Sequence, residues 1–305
     1  MTTIAGQQQA IAGRDLQATI QAWDQAAWSL AALALATRGD SPPDLAAAAG
    51  ELLAAAGLTG APGQPLQGLG TATAAQIASQ AAAPLHQASA LLTGRGMGWD
   101  AQSDEALLAQ GNASAQAARQ FAQFALPVMG GLAERLAAPG ARMLDVGTGV
   151  GALAVGFARV FSQLRVLGID VLDRALGLAR QAIAASDVAA RVTVRKQDVA
   201  GFADEAGFDL AFLPAPFIPQ AAVGAGLPRV AAALRPGGWL MVGHGKFGVT
   251  PAEDALTRLK TIAYGGTPLD EAQACNLLGN AGLTSVRPIP TPPGAPAITI
   301  GQKPA

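Results

Sequence analysis

From Arg142 onward one alternation governs the chain. "RMLDVGTG", "LRVLGIDV", "RVTVRKQDV", "FDLAFLPA" and "GGWLMVGH" are short apolar runs ending in loop residues, set among helical patterns such as 149–162, 171–185 and 220–235. Strands that alternate with helices at this spacing pair in parallel and have both faces of their sheet covered. Ligands then collect beyond the carboxyl ends of the strands, so the residues at those ends matter most. Near the end of the chain, "LTSVRPIP" and "APAITIGQ", joined by "TPPG", predict an antiparallel strand pair added to the parallel sheet.

Before residue 139 no strand pattern occurs. Residues 14–38 place Leu16, Ile20, Trp23, Ala27, Leu30 and Leu33 at helical spacing. Pro42 and Pro43 suit the start of a second helix ending near Gly57. After a Pro/Gly-rich loop at 60–70, further helices are predicted at 72–92, 102–109 and 113–137, the last with Phe121, Phe124 and Leu126 on its apolar side. Trp23 and Trp28 read as core residues, although at five residues apart one of them is a candidate to face a partner subunit or a ligand. The chain of 305 residues therefore divides into a helical domain, 1–138, and an α/β domain, 139–305.

Charge excludes one class of partner. Twenty basic and twenty-one acidic residues leave a formal charge of −1, with no basic run to collect phosphates, so no nucleic acid is expected. Cys275 is the single cysteine, which excludes an intrachain disulfide and a Cys-rich metal site; no metal is expected. Neither a secretory leader nor an 18-residue apolar span is visible, so no membrane partner is expected and the location is read as cytoplasmic.

The candidate site lies in "LDVGTGVG". Gly147, Gly149 and Gly151 fall in a strand-to-helix turn where side chains would hold a ligand off the backbone. Asp170 closes the next strand, about twenty residues on, where a carboxylate can accept hydrogen bonds from a ribose diol. This much fits a dinucleotide or an adenosyl cofactor. Dinucleotide loops run G-x-G-x-x-G, whereas "GTGVGA" alternates its glycines, and Asp145 just before the turn would repel a pyrophosphate but favour a cationic methionine tail. Asp198, after the third strand in "KQDVA", is placed to receive an adenine amino group, with Gln197 or the backbone of Val199 as the alternative contact.

With "LDVGTGVG", "GID", "QDV" and "LRPGGWLMV" in this order, residues 142–245 resemble the class I S-adenosylmethionine-dependent methyltransferases. The resemblance implies a Rossmann-like seven-stranded sheet of order 3-2-1-4-5-7-6, with the last two strands at 283–289 and 296–301. It implies S-adenosyl-L-methionine as cofactor, held by Asp145, Gly147, Gly149, Asp170, Val171, Asp198, Val199 and Leu213. The helical part is similar to the N-terminal dimerisation region of small-molecule O-methyltransferases, without their clear winged-helix strand pair. That similarity implies a homodimer, and a helical domain that also closes over the substrate.

One stretch sets the chemistry apart. In "DLAFLPAPFIPQ", only apolar side chains and three prolines lie between Asp209 and Gln220. Many enzymes that methylate exocyclic or amide nitrogens carry an Asn/Asp-Pro-Pro-aromatic tetrapeptide here, and "LPAP" offers no side-chain carbonyl. Plant-type O-methyltransferases place a histidine base here, and this chain has Pro214. A base must come from elsewhere, with His244 in "GHG" expected to face the cleft and Tyr264 in "TIAYGG" as a second candidate, or none is needed. Pro214, Phe217, Ile218 and Trp99 are expected to line an apolar acceptor pocket. The sequence thus predicts a dimeric enzyme of secondary metabolism that methylates a small, largely apolar, aromatic acceptor at N or C. O-methylation using His244 and a non-catalytic dimerising or regulatory role are the alternatives.

Overall fold

A computed structural model of the chain describes residues 16–38, 41–59, 74–92, 98–204, 207–291 and 296–305. The predicted 60–70 loop and most of the "TPPG" turn lie outside these residues. The chain forms two compact units that divide between Ala88 and Ser89, not at the expected 138/139 boundary. The reason is in the core. Phe121, Ala125, Leu132 and Leu136, placed by sequence in the helical domain, share one apolar cluster with Met143, Leu210, Trp239 and Met241 of the sheet.

In the first unit, helix α1 (Leu16–Arg38) and helix α2 (Pro43–Ala55, with proline in its first turn) meet through Ala32, Leu33, Leu35, Ala49, Leu52 and Leu53. Only the C-terminal part of α1 is buried. Trp23 and Trp28 are 67% and 64% exposed, which corrects their reading as core residues. Helix α3 (Ala74–Leu92) follows.

The second unit continues with helix α4 (Asp104–Ala113), capped by Ser103, whose hydroxyl accepts from the Ala106 amide at 3.3 Å. The single helix expected over 113–137 is broken. It consists of α5 (Ala117–Gln120), a π-helical turn (Phe121–Ala125), a 3-10 turn (Leu126–Val128) and α6 (Leu132–Ala137). Pro127 supplies no amide to the helical ladder and Gly131 adopts the left-handed conformation, φ 73°, so the chain turns between them. Phe121 is buried and Phe124 is 43% exposed, so the apolar side is narrower than the spacing predicts.

The sheet follows the predicted order, β3-β2-β1-β4-β5-β7-β6. Its strands are β1 (Arg142–Val146), β2 (Arg165–Asp170), β3 (Val192–Lys196), β4 (Phe208–Pro214), β5 (Leu234–His244), β6 (Thr284–Ile289) and β7 (Ala297–Gln302). The first five pair in parallel, and β7 runs antiparallel to both β5 and β6. The helices are α7 (Ala152–Val160), α8 (Asp173–Ala184), α9 (Gln220–Ala233), α10 (Pro251–Ala263) and α11 (Glu271–Asn280). Successive side chains on a strand point to opposite faces. Met143, Leu210, Trp239 and Met241 accordingly pack into one apolar layer, and Leu144, Val146, Ala211, Leu213, Leu240 and Val242 into the other. Asp145 follows the parity of Met143, and His244 that of Leu240 and Val242.

Asp209, at the opposite, amino end of β4, is structural. It is 2% exposed and accepts from the Arg142 amide (3.0 Å) and the Arg235 guanidinium (2.8 Å), with Arg135 at 3.5 Å. This network ties the start of β1 to the turn that enters β5. No described helix is long and apolar enough to cross a membrane.

Candidate functional site

The β1–α7 turn is built from left-handed glycines. Gly147, Gly149 and Gly151 have φ of 65°, 55° and 77°, a region that side-chain-bearing residues adopt at a cost. A Cβ on Gly147 would sit 3.7 Å from Ile218 and 3.8 Å from Pro214, so the turn lies directly against the segment after β4. The expected neighbours Gly147, Pro214 and Ile218 are thus brought together.

Asp170 closes β2 and holds this turn. One carboxylate oxygen accepts from the Gly149 amide at 2.8 Å and the other from the Leu172 amide at 2.9 Å. Val171, between them, is 53% exposed and offers an apolar ledge at the rim. Asp198 is exposed and caps the short turn after β3, accepting from the Ala200 amide at 2.9 Å. Val199 and Leu213 turn their side chains away from the rim, which is compatible with the backbone contact expected of Val199. Both side chains are buried in the apolar layer beneath the opposite face, and Gly226 is needed because a Cβ there would come within 2.7 Å of Val199. Only their backbone groups are available to a ligand.

Asp145 is 1% exposed. Thr148 donates to its carboxylate at 2.7 Å, and among the described residues no Lys, Arg or His pairs with it. Burial, reinforced by the nearby negative charge of Asp170 and opposed by the Thr148 hydroxyl, pushes its pKa up to about 7. Thr148 was not anticipated, yet the sequence held a signal for it. Gly168 pairs with Asp145 in the β1–β2 register, and a Cβ there would approach the Thr148 side chain to 2.6 Å. An isolated glycine inside a strand marks such a close approach.

Three loops converge on an aromatic cluster. The Trp99 and Tyr264 rings stack with centroids 4.8 Å apart, Phe217 meets Trp99 edge-on at 5.4 Å, and Phe217 and Tyr264 lie 5.7 Å apart. Glycines allow the loops to close up. The Gly98 amide donates to the Ala263 carbonyl at 3.0 Å, with Gly265 alongside, and Gly266 packs so tightly that a Cβ would fall 1.8 Å from the Pro216 carbonyl oxygen. Thr267 locks the arrangement, donating its amide to Ala215 O (2.9 Å) and its hydroxyl to Ile218 O (2.7 Å). Tyr264 is 8% exposed and burial pushes its hydroxyl well above the usual phenol range, so it stays protonated.

His244 does not face the cleft. It is 1% exposed, with Nδ1 2.9 Å from the Gly245 carbonyl and Nε2 2.9 Å from the Thr299 hydroxyl of β7. With Nδ1–H donating to the carbonyl, Nε2 accepts from the threonine, and both nitrogens are engaged. Burial holds its pKa below the ordinary imidazole value, which keeps it neutral. Strand parity explains the difference from the expected orientation: His244 shares the face of Leu240 and Val242.

A cavity of about 220 Å³ opens at the end of β2, lined by Trp99, Asp100, Leu172, Asp173 and Arg174. No group of three or more potential metal ligands occurs among the described residues.

Comparison with known proteins agrees with this fold. Residues 143–238 match the methyltransferase domain family. A 98-residue stretch is 40% identical to the release factor glutamine methyltransferase of Chlorobaculum tepidum, covering 29% of this chain and 33% of that protein. The chain thus spans about a third of the length of this curated relative. Among solved structures, an O-methyltransferase family protein from Burkholderia thailandensis superposes with a TM-score of 0.62 at 20% identity, over 95% of this chain and 97% of its own. Human N-acetylserotonin methyltransferase, solved with S-adenosylmethionine, superposes with a TM-score of 0.64 at 14% identity, over 96% and 99%. At these identities the likeness concerns the fold. Residues 143–238 are thus similar to a methyltransferase domain, and the seven-stranded sheet shares the fold of these methyltransferase structures.

Proposed function

We propose that this chain transfers the methyl group of S-adenosylmethionine to a small, largely apolar aromatic acceptor, at nitrogen or carbon. The observation that carries the reading is Asp145, a buried carboxylate without a cation among the described residues, beside a left-handed glycine turn that abuts Pro214 and Ile218. The residues present fit the cofactor. Asp145 matches its ammonium group, the glycines admit its tail, and Asp170 can accept from its ribose.

When bound, S-adenosylmethionine supplies an electrophilic methyl group on a sulfonium centre. The protein's part is placement. Phe217, Trp99 and Tyr264 form rigid aromatic walls, Pro214 and Ile218 keep the approach apolar, and holding the reactants aligned removes much of the entropic barrier. Neither His244, with both nitrogens engaged, nor Tyr264, which stays protonated, is set up to remove a proton. That supports an acceptor that is nucleophilic without deprotonation. The curated relative is named for a glutamine, but the segment Leu213–Phe217 of this chain lacks a side-chain amide or acid to orient one. O-methylation is the second reading, favoured by the name of the Burkholderia protein. The exposed Leu16, Ile20, Trp23 and Trp28 of α1 support pairing with a second copy in a homodimer.

Calorimetry with S-adenosylhomocysteine, followed by mass spectrometry of indoles, phenols, amines and carboxylates incubated with the protein and S-adenosylmethionine, tests the reading. One-to-one binding and a gain of one methylene on an aromatic N or C acceptor are expected. Absence of binding by the folded protein sinks it, while binding without turnover on any compound favours a regulatory module. His244→Ala should lower the melting temperature, because it removes the hydrogen bond to the Thr299 hydroxyl and leaves a cavity, while turnover at 20 °C stays within about threefold. A hundredfold loss of turnover in a folded H244A protein restores histidine to the chemistry.

A further inference from the structure

The segment from Gly98 to Asp104 carries two polar groups that the protein leaves unanswered. Among the described residues, the Trp99 indole nitrogen and the Gln102 side-chain carbonyl oxygen are both buried and without a hydrogen-bond partner, and Gln102 is only 4% exposed. Orphaned buried groups of this kind cost about 1–3 kcal/mol each. One is a donor and the other an acceptor, three residues apart, in a segment whose Trp99 lines the cavity at the end of β2 together with Leu172, Asp173 and Arg174. The segment is held there. Arg174 of α8, four residues beyond Asp170, pairs with the Asp104 carboxylate at 3.2 Å and donates to the Gln102 backbone carbonyl.

We propose that this strap is a wall of the nucleoside subsite, where the Trp99 N–H donates to, and the Gln102 side-chain carbonyl accepts from, a hydroxyl-bearing sugar held between them and Asp170. The inference rests on the adenosyl-cofactor reading above. A ribose hydroxyl both donates and accepts, and so answers two groups that an apolar ligand would leave unpaired. Trp99 then serves both sides of the site, with its ring in the aromatic cluster and its indole N–H toward the nucleoside. Its expected role in the acceptor pocket is thereby extended to the cofactor.

The test is calorimetric binding of S-adenosylhomocysteine and of 5′-methylthioadenosine, which lacks the amino-acid tail, to the wild-type protein, Trp99→Phe and Gln102→Met. Each variant is expected to lose roughly five- to tenfold in affinity for both ligands, by the same factor. The melting temperature of ligand-free Gln102→Met should equal or exceed that of the wild type, because it loses an acceptor that the free protein leaves unpaired, whereas Trp99→Phe also gives up ring packing on Tyr264 and Phe217 and is read by affinity alone. Loss of a group with only a structural role would lower the melting temperature. Unchanged affinity in both variants overturns the inference, as does a loss confined to S-adenosylhomocysteine, which would place the contacts on the tail. If the wild-type protein binds neither ligand, the cofactor reading itself fails, a result distinct from either of these.

Discussion

Asp145→Asn is expected to weaken S-adenosylhomocysteine binding at least a hundredfold and, at pH 8, to raise the melting temperature of the ligand-free protein. The substitution keeps the shape and leaves an oxygen for the Thr148 hydroxyl, so what it removes is charge. Breaking a buried ion pair by deleting one partner costs about 3–5 kcal/mol, which covers a hundredfold in affinity. The stability effect has the opposite sign. In the folded, ligand-free chain burial holds the Asp145 pKa at about 7, whereas an unfolded aspartate titrates near 3.8. The folded state therefore binds the extra proton between these values, and stability from this group is fully present below the lower one and is lost as pH rises through about 7. At pH 8 the ionised carboxylate costs up to about 4 kcal/mol, so the asparagine variant should melt several degrees higher; the gap should narrow to less than half by pH 5 and close only as the pH falls below the unfolded value of 3.8. Thermal melts of both proteins from pH 5 to pH 8, with calorimetry at pH 7.5, check this. A variant that binds the ligand normally, or that melts below the wild type at pH 8, contradicts the role given to Asp145.

Gly266→Ala is expected to abolish methyl transfer while leaving cofactor binding within about threefold. The added methyl would lie 1.8 Å from the Pro216 carbonyl oxygen and 2.2 Å from its carbon. Because these are backbone atoms, no rotamer change relieves the clash and the Pro216–Phe217 segment must move. Overpacking of this sort costs typically about 1–3 kcal/mol, and misplacing reacting groups by about 1 Å can cost a hundredfold in rate. The glycine turn meets this segment at Pro214 and Ile218, which β4 and the Thr267 hydrogen bonds anchor, and Asp170 closes β2, so both should shift less than Phe217. Single-turnover kinetics alongside calorimetry separate the two effects, and full turnover in G266A would remove the Phe217 cluster from the acceptor site.

The sheet was legible because its evidence is local: each strand is an apolar run, and the closing pair reads from its own residues. The glycine turn and Asp170 were legible for the same reason, as residue types at fixed spacing. The protonation of Asp145 was not, since it follows from burial that only the folded chain creates. His244 was placed on the wrong face. The alternation from Trp239 to His244 is regular, but the run is apolar on both faces, so the sequence did not show which face looks toward the cleft. The break at Pro127 and Gly131 was visible in residue type but was overridden by the apolar spacing around it. The strap was beyond reach of any motif, because Arg174 and Gln102 lie 72 residues apart and meet only through the fold.

Asp170 already grips two amides, Gly149 on one side and Leu172 on the other, before any ribose arrives. The carboxylate is thus a keystone as well as a handle, and truncating it would let the arch sag whether or not a nucleoside had ever pressed upon it. The shape of the loop and the proposed ribose contact therefore rest on one residue.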